Sequence, residues 1–286
     1  MKRNAAAIVG MGISALFCGH AAAEGVYGVT LQQTLVSWDH ASPGTIMSGV
    51  PLWGMAANET IQGLDFRPAT GELYGLGSFS RLYKIDRMTG QAMQVGANFS
   101  TPLNGSSFGF DFNPTVDRVR IVSDADQNLR VHPDTGAVTV DSALAYGAAD
   151  SGFGMNPSIV GSAYTNNFKG ATTTALYGID AARDVLVLQS PPNNGVLTTI
   201  GSLGTDVTDL AGFDISGVTG VAYAAIRDVN LGRTTFWTIN LTTGQGTMLG
   251  EVGGGSLITA MTVVPAPGAA ALAGVAALGM ARRRRA

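Results

Sequence analysis

Residues 109–136 read GFDFNPTVDRVRIVSDADQNLRVHPDTG. Three short apolar runs in this stretch are separated by turn-forming residues, and the pattern recurs. Residues 63–90 read GLDFRPATGELYGLGSFSRLYKIDRMTG, and a looser copy spans residues 212–244, ending FWTINLTTG. Repetition of this kind means that one unit cannot bury its apolar faces alone and must stack on copies of itself.

Working outward, the strands and turns can be placed by period and punctuation. The first unit has strands near 26–31, 35–39 and 45–50, then a linker from Pro51 to Thr60. The second has strands near 61–67, 72–77, 81–86 and 91–96, and the third near 107–113, 118–123, 127–132 and 136–141. Pro68 and Pro114 close the first strands of these two units, where a missing N–H costs least. A Gly/Ala-rich stretch, Ser142 to Pro157, is too long for a tight turn and reads as a candidate functional loop. The fourth unit has strands near 160–165, 174–180, 184–190 and 195–201, and the fifth near 211–216, 219–226, 234–240 and 245–250. One strand, Leu257 to Val264, is left over, and the first unit is one strand short. Pairing the two ends in one shared blade explains both facts, and this is how propellers close. The sequence therefore predicts an all-β, five-bladed propeller of four-stranded blades, with a β-sandwich or another β-repeat fold as the alternative.

Composition agrees. Of 286 residues, 45% are hydrophobic and 13% charged, enough for a sizeable core and too apolar for disorder. Six of the 17 basic residues are Lys2, Arg3 and the Arg282–Arg285 run, leaving 11 against 20 acidic residues between the ends, a net of -9. Such an acidic globule has no electrostatic footprint for nucleic acid. Cys18 is the only cysteine, so disulfides and thiol chemistry are excluded from the folded part.

The two ends read as addresses. Lys2 and Arg3 precede an apolar run and Ala21-Ala22-Ala23, the order of a secretory signal peptide cut after Ala23 by signal peptidase. The expected domains are then 1–23, a propeller over 24–264 and a tail over 265–286. The tail reads VPAPGAAALAGVAALGMARRRRA from Val264. Its order of motif (Val264, Pro265, Pro267), short apolar segment and basic cluster (Arg282, Arg283, Arg284, Arg285) resembles the PEP-CTERM sorting signal of Gram-negative bacteria. That resemblance implies a transient membrane helix, an exosortase-like processing enzyme, and export through the inner membrane to the cell surface or medium. Ala266 stands where the usual pattern has Glu.

The segments SSFGFDFNPTVDRVRIVSDADQNLRVHPDTG, VGSAYTNN and LAGFDI resemble bacterial proteins of domain-of-unknown-function family 4394. The resemblance implies a secreted propeller-like protein and brings no catalytic residue with it.

Candidate sites remain. Asp65, Asp111 and Asp214 hold one position in three units, with Ala163 and Ala260 expected in the others. Converging near the axis, they could ligate Ca²⁺; the bland reading is that each accepts backbone N–H groups between blades. No other cofactor is expected. Asp124 to Asn128 mimics the start of an EF-hand loop but has Leu129 for its glycine and Thr135 for its glutamate, so a polar turn is expected. Gly105-Ser106-Ser107-Phe108-Gly109 fits a nucleophile elbow but is followed by a strand, not a helix. Trp38, Trp53, Tyr146, Phe153 and Phe168 lie in or near loops and could stack on sugar rings, although Trp38 and Phe168 could instead staple blades. These features point to a non-catalytic surface or matrix protein that binds exopolysaccharide. The alternative is a lactonase- or glycan-hydrolase-like propeller built around an axial metal.

Overall fold

A computed structural model describes residues 24–207, 211–228 and 232–265. In chain order the strands are β1 (Gly25–Thr30), β2 (Thr34–Asp39) and β3 (Ser42–Pro51); β4 (Ile61–Phe66), β5 (Leu73–Gly77), β6 (Arg81–Ile85) and β7 (Ala92–Val95); and β8 (Phe108–Asn113), β9 (Arg118–Ser123), β10 (Asn128–Val131) and β11 (Val138–Val140). They continue as β12 (Ala145–Tyr146), β13 (Ile159–Tyr164), β14 (Leu176–Asp180), β15 (Val185–Gln189) and β16 (Val196–Ser202). The last are β17 (Ala211–Ile215), β18 (Ala222–Asp228), β19 (Arg233–Ile239), β20 (Gly246–Glu251) and β21 (Ile258–Val263). They form five sheets, antiparallel except for one parallel pair in the fourth, arranged as a five-bladed propeller with β21, β4, β8, β13 and β17 side by side around the axis.

The ring closes as the sequence predicts. β21 pairs antiparallel with β1, Val26 opposite Val263 and Gly28 opposite Met261, so the first blade is built from both ends. The segments 1–23 and 266–286, with Pro267 and Arg282–Arg285, lie outside the described residues. Among the described residues no helix is long and apolar enough to cross a membrane.

The reading of Ser142 to Pro157 as one free loop needs correction. Leu144 and Tyr146 are buried, and β12 adds a fifth strand to the fourth blade by pairing parallel with β16. Two apolar side chains in a Gly/Ala-rich context are enough to dock it.

Packing between blades explains the glycines at the start of each repeat. A Cβ on Gly63 would lie 2.4 Å from Phe110 Cβ, and one on Gly212 would lie 2.6 Å from Met261 Cβ. Contacts that short do not occur, so the bare backbone is what lets one inner strand reach the next. Apolar side chains pack between neighbouring blades, as where Trp38 of β2 meets Phe236 of β19 edge-on at 5.7 Å.

Candidate functional site: the axis and an arginine-lined cleft

Two residues after each ring glycine the chain places a side chain at the axis: Asp65, Asp111, Ala163, Asp214 and Thr262. The fifth is a correction, since Ala260 matches the glycine position and Thr262 the aspartate. The identity follows from the hydrogen bonds, because the residue after each is Phe66, Phe112, Tyr164, Ile215 or Val263, and all five N–H groups are accounted for. Asp65 accepts from Phe112 of the next blade (Oδ2, 2.8 Å), Asp111 from Tyr164 (Oδ1, 3.1 Å) and Asp214 from Val263 (Oδ2, 2.6 Å). Ala163 and Thr262 accept no such bond. The two N–H groups they leave are taken by the aspartates beside them, Ile215 by Asp214 Oδ1 (2.6 Å) and Phe66 by Asp65 Oδ1 (2.7 Å). Three carboxylates thus satisfy five buried N–H groups, which would otherwise cost about 1–3 kcal/mol each.

The same three side chains are buried, and one oxygen from each lies within 4.8 Å of the others. Burial and mutual repulsion push Asp65 and Asp111 well above the usual carboxylate range; burial pushes Asp214 up to about 6. Thr262 Oγ1 stands 3.0 Å from Asp65 Oδ1 and 2.9 Å from Asp214 Oδ2. A hydroxyl has one hydrogen to give, so one of those contacts requires a proton on the carboxylate or a shared cation. Three hard oxygens at this spacing suit Ca²⁺, whose ligands lie about 2.3–2.6 Å away. One mouth of the channel, lined by Gly63, Gly109, Gly161, Gly212 and their neighbours, leaves only about 10 Å³, room for at most one water.

A roomier cavity lies elsewhere. A cleft of about 470 Å³ opens between the third and fourth blades, walled by Arg118, Arg120, Arg130, Tyr164 and the Pro191–Asn194 segment. Arg120 is buried and donates to Asn128 Oδ1 (2.7 Å), Asp141 Oδ2 (2.7 Å) and Asn193 Oδ1 (2.6 Å). Arg130 grips the same Asp141 with two bonds of 2.7 and 2.9 Å. Burial raises the Asp141 pKa, but these guanidinium bonds outweigh it and hold the carboxyl below its ordinary value.

The model of a family described as Domain of unknown function (DUF4394) matches residues 34–262. The chain belongs to that family. No curated protein matches the sequence. Among solved structures, the DUF4394 chain is similar to a structural genomics protein of unknown function from Bacteroides thetaiotaomicron VPI-5482, at 12% identity and a TM-score of 0.48, covering 80% of this chain and 58% of that one. It is similar to hydrazine synthase of Kuenenia stuttgartiensis at 10% identity and a TM-score of 0.40, covering 70% and 53%. TolB from Acinetobacter baumannii shows 11% identity and a TM-score of 0.44, covering 80% and 53%. The chain thus spans little more than half the length of these structures.

The aromatics picked out from the DUF4394 sequence do not gather. Trp38 and Tyr146 are buried and are withdrawn as ligand contacts; Trp38 belongs to the core between the first and fifth blades, and the Tyr146 hydroxyl bonds Asp180. Alternation in β2 places Trp38 inward, and β12 carries Tyr146 under the Arg183 guanidinium. Trp53, Phe153 and Phe168 are exposed but stand apart: Trp53 lies between the first and second blades, and Phe153 and Phe168 lie in the fourth, in the loops before and after β13. Trp53 also donates its indole N–H to Thr89 O (3.0 Å), bridging the first and second blades. Asp124 accepts two bonds from Ser106, in a turn.

The arginine cleft was missed from the sequence although a signal exists. The inner-strand position at the axis faces Tyr27, Tyr74, Tyr177 and Tyr223 across four of the strand pairs, and Arg120 across the fifth.

Proposed function

We propose that this DUF4394 protein is an exported, surface- or matrix-associated propeller that binds extracellular polysaccharide and catalyses no reaction. The observation that carries the reading is how the axial carboxylates are used. A propeller enzyme built on an axial metal needs an open coordination position and room for substrate. Here five of the six carboxylate oxygens accept backbone or hydroxyl hydrogen bonds, counted from Phe66, Phe112, Tyr164, Ile215, Val263 and Thr262. Those bonds serve the ring. Export is supported by the Lys2–Ala23 and Val264–Arg285 patterns, with signal peptidase and an exosortase-like enzyme as processing partners. The acidic surface argues against nucleic acid as a partner.

The rival reading, a lactonase- or glycan-hydrolase-like enzyme with axial Ca²⁺, draws on the same 4.8 Å carboxylate cluster. One experiment separates them. The purified protein is passed over a polysaccharide array and through a hydrolase screen, each with Ca²⁺ and with EDTA. Retention on glycans with an EDTA-insensitive melting temperature supports the binder. Calcium-dependent turnover that is lost in Asp111→Asn overturns it.

A further inference from the structure

We infer that the cleft between the third and fourth blades is a subsite for an acidic sugar, a uronate or sulfated residue of the polysaccharide; this rests on the polysaccharide-binding reading above. Three features point to an anion. Arg118, Arg120 and Arg130 line the cleft, while the carboxylate that answers them is the single Asp141. The neighbouring Asp117 turns away, its oxygens held by Arg67 at 2.9 and 2.6 Å. Among the described residues Arg118 donates only to the backbone carbonyls of Val116 and Asp117. The lining therefore carries an excess of positive charge in a chain whose acidic residues outnumber its basic ones, 20 to 17.

The second feature is the break in the repeat. Arg120 takes the position that tyrosine holds in the other four blades, and it is buried. A buried guanidinium carries a desolvation cost that a tyrosine does not. Asp141, Asn128 and Asn193 offset that cost and fix its plane. β9 and β10 then set Arg130 directly opposite Arg120, and Arg118 two residues earlier on the same face.

Donor geometry is the third. Arg130 spends its Nε and Nη2 on Asp141, leaving Nη1 free, and Arg118 has Nε and Nη2 free. Planar N–H pairs of this kind match carboxylate and sulfate oxygens. Val116, Pro191 and Tyr164 supply apolar wall, and a volume of about 470 Å³ accommodates a sugar of one or two rings.

The test uses the full-length protein, oligogalacturonate as the carboxylated probe, dextran sulfate as the sulfated one and neutral dextran as control, at 50 mM salt by calorimetry. Arg118→Ala is the main variant because its guanidinium supports no buried group; Arg118→Lys is the conservative one, and melting curves check both folds. We expect an acidic probe to bind, Arg118→Ala to weaken it about tenfold or more, and Arg118→Lys to recover part of the loss. Preference between the two acidic probes identifies the anionic group. Binding of neutral dextran alone, unchanged in Arg118→Ala, overturns the acidic subsite and leaves the polysaccharide reading standing. Acidic binding equal in wild type and Arg118→Ala overturns the cleft as its location. Failure of every glycan overturns both.

Discussion

Asp65 and Asp214 each give both carboxylate oxygens to backbone N–H groups, whereas Asp111 gives one. The three are therefore unequal. Replacing Asp65 by Asn turns an NH₂ toward a buried N–H and should cost about 1–3 kcal/mol. Asp111→Asn keeps the acceptor for Tyr164 and removes one of three crowded charges, so its melting temperature at pH 8 should equal or exceed that of wild type. Comparable losses in both variants would contradict this account. The same cluster sets a pH dependence. Asp65, Asp111 and Asp214 have folded pKa values raised by burial, Asp214 to about 6. The folded state therefore holds these protons more tightly than the unfolded state. Their contribution is full below the unfolded value of about 4 and is lost as pH rises through the folded values. Asp86 and Asp134 run the other way, lowered by backbone hydrogen bonds and by Arg67, and lose their contribution as pH falls below about 4. Thermal melts from pH 3 to 9 should peak near pH 5, and Asp111→Asn should flatten the alkaline limb. A maximum above pH 7 would rule the explanation out.

At the scale of the element, β21 does the most with the fewest residues. Its Met261 fills the space left by Gly212, its Val263 N–H answers Asp214, and its Thr262 hydroxyl reaches Asp65 and Asp214. A chain ending at Gly255 loses all three and leaves β1 with an open edge. It should lose its cooperative thermal transition by circular dichroism, and a sharp melt at an unchanged temperature would refute the closure. This strand also marks how far the sequence could be read. Leu257 to Val264 was legible as a strand because its residues are apolar and β-branched, and its partner followed from counting strands. Its register was not legible, because ITAMTV offers neither the glycine nor the aspartate that aligns the other units. Ala260 and Thr262 could be told apart only by which N–H Asp214 meets. The three aspartates were legible as a set because they recur at one register position. The arginine cleft was not, because Arg118, Arg120 and Arg130 become neighbours only once β9 and β10 pair. Trp38 and Tyr146 misled for a related reason: their place in the sequence does not say which face of a strand a side chain takes.

For the whole molecule, the ring ends where the PEP-CTERM-like pattern of the sequence begins. Val264 N–H donates to Gly25 O at 2.8 Å, the last backbone bond of the shared blade, and Pro265 follows with no N–H to give. Pro265 and Pro267 each bias the residue before them away from helix. Removing everything beyond Pro265 would take none of the described strands from the propeller. We propose that the apolar Ala/Gly/Leu run from Gly268 to Ala281 and the four arginines after it are a sorting tail. In that role the run would sit in lipid, with the arginines at the cytoplasmic face. At about 14–17 residues the run falls short of the roughly 20 that a lasting span requires, which suits temporary anchoring. In cells with the matching exosortase the released protein should end between Val264 and Gly268. In cells without it, the uncut form should stay with the inner membrane fraction. Intact-mass measurement of the released protein checks both, and a species in the medium that still carries Arg282 to Arg285 would end the sorting-tail reading.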